Sequence, residues 1–307
     1  MARPMKVGVQ LPEVEYVVRW SELRAMAQTA EAIGLDSVWV GDHLLYHWAD
    51  KPPRGPWEAW STLAALAAVT ERIELGPLVA ATSFHNPAMI AKKAAMVEEI
   101  SGGRLILGLG AGWNRTEYEA FGFPYDHRVS RFEEAFTIIR TLLREGYCDF
   151  DGHYYQVRDC ELLPRGPRRE GPPLMVGSEG ERMLSITLPH VQAWNAWFDW
   201  FDNSLERYRE LRDRIDAACR AAGRDPGNVE RTVALFVSFP AAKGRPSGRP
   251  PDPTAPDTSP LGAEPEQLAA SLRAFAAEGV SHVQLVLDPI TPETVAALAP
   301  TLALLDA

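Results

Sequence analysis

Short apolar segments alternate with amphipathic segments along almost the whole chain, and this alternation limits the folds open to it. The apolar runs have the length of strands buried on both faces, and the segments between them have the spacing of helices that bury one face. We count eight strand–helix units, with no block of strands or helices set apart. Such alternation predicts a parallel sheet, and eight units favour a closed (β/α)8 TIM barrel of the α/β class. An open doubly wound sheet is the alternative.

The predicted strands cover residues 6–11, 37–40, 73–79, 105–109, 174–176, 191–194, 233–239 and 282–287. The predicted helices cover residues 20–33, 57–69, 87–100, 116–123, 129–144, 181–188, 204–222, 265–278 and 292–305. An insertion at about residues 115–165 contains a predicted β-hairpin within residues 149–164, because a Phe-Asp-Gly-His-Tyr-Tyr turn lies between two short aromatic runs there. Residues 240–260 are dense in Pro, Gly and Ser, which predicts a mobile loop.

Length and composition exclude several classes of protein. The 307 residues are close to the roughly 250 of a typical barrel, so we expect one domain over residues 1–307. The net charge of −10 argues against nucleic acid as a partner. Three cysteines without C-x-x-C spacing predict neither a disulfide framework nor a metal site. Residues 1–20 lack an apolar signal segment, and no apolar run approaches the roughly 20 residues of a membrane span, so we expect a cytoplasmic protein without membrane contact.

One segment is more informative than the others: Arg104-Leu-Ile-Leu-Gly-Leu-Gly-Ala-Gly-Trp113, a buried strand that runs into a glycine-rich turn. Glycines there let the backbone approach a ligand closely. A Rossmann fingerprint would lie in the first βα turn, whereas about three units precede this one, so we interpret it as a cofactor loop of a barrel. The chain has no G-x-S-x-G, Walker, H-E-x-x-H or C-x-x-C motif, which argues against hydrolase, phosphotransferase and zinc chemistry.

A barrel of this kind carries its chemistry at the C-terminal ends of its strands. The second predicted strand leads into Asp42-His43. A histidine titrates near neutrality, and a neighbouring carboxylate can orient its ring and stabilise its charged form. We therefore take His43 with Asp42 as the candidate acid–base pair, and the alternative is a histidine that only hydrogen-bonds its loop. His85, which precedes a helical proline, is interpreted as structural.

Two later strand ends predict ligand contacts. Gly177-Ser178-Glu179-Gly180 opens a helix whose free N–H groups can bind an anion, and the alternative is an ordinary turn in which Ser178 caps the helix. Residues 194–201 contain five aromatic side chains, more than core packing explains, so some should line an apolar pocket or a subunit interface. Together with Trp48 and Trp113, they favour a planar, aromatic or apolar ligand.

In this order, the strand ends resemble the luciferase-like monooxygenase superfamily, and within it the deazaflavin (coenzyme F420)-dependent oxidoreductases. The resemblance covers nearly the whole chain. The segments that carry it are residues 34–43, 85–87, 101–113, 173–182 and 278–285, of which 101–113, with the glycine-rich turn, is the most specific.

The resemblance implies a barrel whose mouth holds a flavin or deazaflavin, with the ring near strands two to four. It assigns His43 as the base or acid with Asp42 beside it, Leu78–Val79 as a non-prolyl cis peptide behind the ring, and a homodimer as the assembly. The implied cofactor contacts are Leu78, Val79, Ala80, Gly110, Ala111, Gly112, Gly177, Ser178, Glu179 and Gly180. The residues expected to line the substrate pocket are Trp48, Trp113, Glu117, Trp194 and Trp197.

The chain departs from the family at two strand ends. Gly177-Ser178-Glu179-Gly180 stands where relatives often carry four glycines, and Val191-Gln-Ala-Trp194 stands where many read A-D-G-W. The resemblance implies hydride transfer between coenzyme F420 and a small, apolar or aromatic substrate. The alternatives are a monooxygenase that uses reduced FMN and dioxygen, and a non-catalytic flavin-binding protein, against which the Asp42-His43 pair counts.

Overall fold

A computed structural model describes residues 3–48, 52–244 and 258–307. The strands are β1 (Lys6–Gln10), β2 (Ser37–Val40), β3 (Glu74–Pro77), β4 (Ala80–Ala81), β5 (Leu107–Gly110), β6 (Tyr147–Asp151), β7 (Gln156–Glu161), β8 (Leu174–Gly177), β9 (Ala193–Ala196), β10 (Glu230–Ser238), β11 (Leu261–Gly262) and β12 (Val280–Asp288). The helices are α1 (Trp20–Ala32), α2 (Ala59–Val69), α3 (Pro87–Ser101), α4 (Arg115–Phe121), α5 (Arg128–Glu145), α6 (Glu181–Thr187), α7 (Leu205–Ala221), α8 (Pro265–Ala277), α9 (Pro292–Ala296) and α10 (Ala299–Asp306).

The parallel strands form a barrel, as the alternation predicts. Their order is β3-β2-β1-β12-β10-β9-β8-β5-β4, and β3 and β4 are two parts of one strand. The ends of this sheet meet, because Leu75 N donates to Arg104 O at 3.1 Å and Ile106 N donates to Leu75 O at 2.9 Å. The sheet therefore closes on itself, which rules out the open doubly wound alternative.

The barrel separates two apolar cores. Side chains alternate along each strand, so that on β2 Val38 and Val40 pack against the helices while Trp39 packs inside the barrel. The inner core also holds Leu78 and Met175. Most of the helices thus cover the outside of the barrel, and the loops that follow the strands are collected at one end.

The predicted hairpin is present within the insertion. Strands β6 and β7 pair antiparallel, with Cys148 opposite Cys160. Of the predicted 240–260 loop, residues 245–257 lie outside the described residues. The described part before them is held by Asp288, whose carboxylate accepts from Lys243 N at 3.2 Å and Gly244 N at 2.8 Å.

Several element boundaries differ from the prediction. The third strand, predicted over 73–79, is divided at the Leu78–Val79 peptide bond, which is cis as the resemblance implies. The sixth barrel strand, β9, lies two residues later than predicted. The last predicted helix is two helices, α9 and α10, because Pro300 near the start of α10 lacks the N–H that would continue a helical ladder. No helix within the described ranges is long and apolar enough to cross a membrane.

Candidate active site

His43 lies between two carboxylates at the mouth of the barrel. Its Nδ1 lies 2.9 Å from Glu117 Oε2 and 3.2 Å from Glu117 Oε1. Its Nε2 lies 3.8 Å from Glu13 Oε1. The His43 side chain is 21% exposed, whereas those of Glu13 and Glu117 are 5% and 0% exposed. The imidazole is therefore partly open to solvent, while both carboxylates are buried.

The position of Glu117 fixes the orientation of the His43 ring. Its Oε1 accepts from Leu44 N at 2.5 Å and Leu45 N at 3.2 Å, and Asn114 donates to Leu45 O at 3.0 Å. A carboxylate so held accepts the Nδ1 proton of His43 and leaves Nε2 for the reacting group. Glu117, predicted to line the substrate pocket, has a fully buried side chain that contacts Nδ1 of the histidine.

The two carboxylates raise the proton affinity of His43. Burial by itself lowers the pKa of the ring, but the charges of Glu13, Glu117 and Asp42 and the hydrogen bond from Glu117 outweigh it, so the pKa of His43 is raised above its usual value. Glu13 is not among the predicted site residues. Its position could have indicated it, because Glu13 follows the first strand and the candidates include the ends of the second to sixth strands.

Asp42 contacts another histidine, not His43 as predicted. Its Oδ2 accepts from Ala81 N at 2.9 Å and lies 3.1 Å from His85 Nε2. His85 Nδ1 in turn lies 3.3 Å from Lys93 Nζ. Asp42 therefore anchors β4, the segment after the cis peptide, and acts on His43 only through its charge. The structural interpretation of His85 agrees with this network.

The predicted cofactor contacts form a surface of small residues beside the histidine. Val79 fits against two glycines: a Cβ on Gly110 would lie 2.7 Å from Val79 Cγ2, and one on Gly177 would lie 3.1 Å from Val79 Cγ1. Val79, Ala111, Gly112 and Gly177 are all partly exposed. Leu78 packs inside the barrel and Ala80 against the helices, so these two can offer only their backbone to a ligand.

This surface fits a flavin or deazaflavin. Asp42 Oδ1 is buried and has no hydrogen-bond partner among the described residues, so it can accept from an N–H of a planar heterocycle. Small side chains leave room for a flat ring. Gly180 is the N-cap residue of α6, and no side chain accepts a hydrogen bond from the first N–H groups of that helix. These N–H groups can therefore face a phosphate.

The Gly177–Gly180 turn differs in detail from its sequence interpretation. Ser178 does not cap α6, and its hydroxyl accepts from Gly180 N at 3.3 Å. Glu179 lies 3.6 Å from Arg214 on α7. Arg182, the positively charged residue of α6 nearest to this turn in sequence, pairs with Glu133 at 2.8 Å. Both arginines near this turn therefore already have carboxylate partners.

Aromatic side chains surround His43. The Trp113 ring meets the His43 ring edge-on at 5.6 Å between centroids, and Trp48 stacks on Tyr46 at 5.8 Å. Trp48 and Trp113 are open to solvent in part, and so is Trp197, as a substrate pocket requires. Trp194, also predicted for the pocket, is fully buried in the core beneath the helices, and its indole N–H donates to Ser178 O at 2.7 Å.

The family of this chain follows from comparison with known proteins. The family model described as luciferase-like monooxygenase matches residues 5–242. The chain belongs to the luciferase-like monooxygenase family. An F420-dependent glucose-6-phosphate dehydrogenase of Amycolatopsis mediterranei is 30% identical over 241 residues, which are 76% of this chain and 69% of that protein.

Relatives with a different named activity, that of a monooxygenase, also match this chain. A pyrimidine monooxygenase of Cronobacter sakazakii is 33% identical over 176 residues, 56% of this chain and 51% of that protein. Among solved structures, an F420-dependent secondary alcohol dehydrogenase in complex with an F420–acetone adduct superposes with a TM-score of 0.80 at 18% identity, covering 99% of both chains. That likeness shows the fold. The family members are enzymes, and both F420-dependent dehydrogenases and monooxygenases are similar to this chain.

Proposed function

We propose that the protein is an F420-dependent oxidoreductase that interconverts an alcohol and a carbonyl group on a small apolar or aromatic substrate. The observation that carries the proposal is His43, a partly exposed imidazole whose Nδ1 is held by Glu117 and whose Nε2 lies 3.8 Å from Glu13 Oε1, without a hydrogen-bond distance between them. An alcohol–carbonyl conversion needs one proton acceptor in this position, because the hydroxyl proton must leave as the hydride does. The bound deazaflavin would supply the hydride-transfer chemistry.

The protein's own residues would orient the substrate and move the proton. His43 Nε2 would take the hydroxyl proton in the oxidation direction and return it in reduction. The Glu117 carboxylate would keep the ring in one tautomer and stabilise the imidazolium. Trp48, Trp113 and Trp197 would hold an apolar substrate and exclude water, while Val79, Ala111 and Gly112 would form the surface beneath the cofactor ring.

A flavin-dependent monooxygenase is the second candidate, and the similarity to the pyrimidine monooxygenase favours it. The extent of the matches supports F420. The relative named as F420-dependent aligns over 76% of this chain, whereas the monooxygenase aligns over 56%. A proton acceptor as firmly oriented as His43 also suits hydride transfer.

The test compares cofactors under controlled oxygen. Coenzyme F420 and FMN are titrated into the same protein, and secondary alcohols and aromatic carbonyl compounds are then screened under nitrogen with each. We expect tighter binding of F420 and turnover without oxygen. Tighter binding of FMN, with product formed only when oxygen is admitted, would replace the proposal with the monooxygenase. Binding of either cofactor without any turnover would favour a flavin-binding protein.

A further inference from the structure

Two of the three cysteines lie directly opposite each other on the hairpin of the insertion. Strands β6 and β7 pair antiparallel, and Cys148 is in register with Cys160. Residues directly opposite each other in such a ladder project their side chains from the same face. Both side chains pack against the main apolar core, Cys148 from a buried position and Cys160 from a partly buried one. The two thiols are therefore neighbours on the face of the hairpin that meets the core.

The ladder sets the spacing of the two cysteines. Leu162 N donates to Gly146 O at 2.8 Å, and hydrogen-bonded pairs alternate with non-hydrogen-bonded pairs along an antiparallel ladder, so the two cysteines form a hydrogen-bonded pair. Such pairs have Cα atoms about 5.5 Å apart, within the roughly 4.4–6.8 Å that a disulfide spans. Their Cβ atoms, about 4.5–5.5 Å apart, must approach slightly to reach the roughly 3.5–4.5 Å of a disulfide. A bond here would form with some strain, and strained disulfides are readily reduced.

A β-bulge beside the pair gives the strands room to close. The register shifts between Cys148 and Phe150, so that Arg158 and Asp159 on β7 face a single residue of β6. Asp159 has a left-handed backbone, with a φ of 45°. A bulge interrupts the ladder locally and bends its strand. The small approach of the two Cβ atoms can therefore be absorbed next to the pair without a change in the rest of the hairpin.

The two thiols differ in access and in acidity. Cys148 is 4% exposed, whereas Cys160 is partly open to solvent. Burial and the neighbouring Cys160, Asp149 and Glu145 raise the pKa of the Cys148 thiol. Because the thiolate is the reactive form and the oxidant must also reach it, an oxidant should meet Cys160 first. Cys148 is then placed to react with whatever Cys160 has become.

We propose that Cys148 and Cys160 form a reversible disulfide that locks the β6–β7 hairpin, with a low-molecular-weight disulfide such as oxidised glutathione as the oxidant. The Cys160 thiolate attacks one sulfur of the oxidant, which gives a mixed disulfide and releases one small thiolate. Cys148 then loses its proton and attacks Cys160 Sγ, which releases the second small thiolate. Two protein thiols are oxidised to one disulfide, and the oxidant is reduced to two thiols that take up the two protons.

Peptide mapping of the folded protein tests the bond and needs neither cofactor nor substrate. The protein is incubated with oxidised glutathione, its remaining thiols are alkylated in denaturant, and it is cut with trypsin without reductant. Cleavage at Arg158, which lies between the two cysteines, places them on separate peptides, 145–158 and 159–165. We expect these peptides to be joined, and to separate after dithiothreitol. The fully buried Cys219 is the internal control and should remain a free thiol.

Three results of this mapping would overturn the proposal. The first is a mixed disulfide that stays on Cys160 while the two peptides remain separate. The second is a link between the Cys160 residues of two chains. The third is the absence of oxidation at both Cys148 and Cys160 in the folded protein.

Two variants and hydrogen exchange test the order of reaction and the lock. In Cys148→Ser, Cys160 should stop at the mixed disulfide with glutathione, whereas Cys160→Ser should leave the buried Cys148 a free thiol. Glutathione on Cys148 in the second variant would overturn the order. Amides of β6 and β7 should exchange more slowly in the oxidised wild type than in the reduced protein, and oxidant should not slow them in Cys148→Ser. Equal exchange in both wild-type forms would show that the bond does not lock the hairpin.

Discussion

At the scale of single residues, the site depends on which carboxylate faces which nitrogen. The adjacent Asp42 turns to His85 at 3.1 Å, and the distant Glu117 reaches His43 at 2.9 Å. Adjacent residues at a strand end point in different directions, so neighbours in sequence are poorly placed to share one contact. The residue that orients the histidine therefore comes from the helix after another strand.

Replacing His43 with Ala should separate chemistry from binding. We expect kcat to fall by about 10²- to 10⁴-fold, the usual worth of a positioned acid or base, while the Kd for the cofactor changes little. The measurements are steady-state turnover and equilibrium cofactor titration. Loss of less than about threefold in kcat across the pH range would exclude a proton-transfer role, given the size of such contributions.

Replacing Glu117 with Gln should shift the pH dependence of oxidation. The carboxylates raise the pKa of His43, so removing one charge lowers that pKa. Oxidation needs the unprotonated ring, so the rising limb of the kcat profile should move to lower pH while the maximum kcat falls. A rising limb at the wild-type pH would mean that a group other than His43 is titrating.

At the scale of elements, the turn between β8 and α6 is supported from the next strand. The indole of Trp194 on β9 donates to Ser178 O at 2.7 Å, which explains why this aromatic residue is buried outside the pocket. Because no side chain caps the N-terminus of α6, its first backbone N–H groups are directed at the turn. The first backbone N–H groups of α6 are therefore available for the phosphate contact that the resemblance implies.

Ser178→Asp tests this element. The added negative charge would lie where the anion is proposed, so cofactor affinity should fall about tenfold or more, on the order of 1.4 kcal/mol. Because Ser178 is not the cap of α6, helix stability should be nearly unaffected. The comparison variant is Ser178→Asn, of similar size and without charge, and both are titrated with cofactor. Equal affinities for the two variants would place the phosphate at another strand end.

At the scale of the whole molecule, the inside of the barrel affects stability through a buried histidine. His282 Nε2 lies 2.6 Å from Ser37 Oγ, which itself accepts from the Trp39 indole at 2.7 Å. Ser37 therefore donates to an unprotonated ring nitrogen. Burial, with a smaller contribution from Lys6, lowers the pKa of His282 to about 3. The folded barrel thus holds this ring neutral across the physiological range.

This histidine should make the wild-type fold sensitive to mild acid. Its folded pKa lies below the unfolded value of about 6.5, so its contribution to stability is present above that pH and is lost as the pH falls toward 3. Below about pH 6.5, the free energy of unfolding should fall more steeply in the wild type than in His282→Gln, by up to about 1.4 kcal/mol per pH unit. Urea unfolding at pH 7, 6 and 5 measures the difference between the two slopes. Parallel slopes would show that His282 is protonated in the folded state.

The sequence by itself determined the architecture and the place of the site. Hydrophobic periodicity is a local property, and eight alternating units of it specify a parallel barrel whose strand ends share one rim. It also indicated His43 and the glycine turns, because each is marked by residue type at a strand end, whereas the Leu78–Val79 segment was implied by the family resemblance.

Only the tertiary structure decided which of these residues meet. The partners of His43 come from the loop after β1 and from α4, 30 and 74 positions away, and no local pattern encodes a contact between separate loops. The sequence also could not predict that Trp194 and Glu117 are buried. The same type of side chain can line a pocket or pack in a core, depending on the face of the strand or helix that it occupies. This difference has a physical cause. Whether a segment forms a helix or a strand follows from its neighbours in the chain, whereas side-chain contacts follow from how the helices and strands pack against one another.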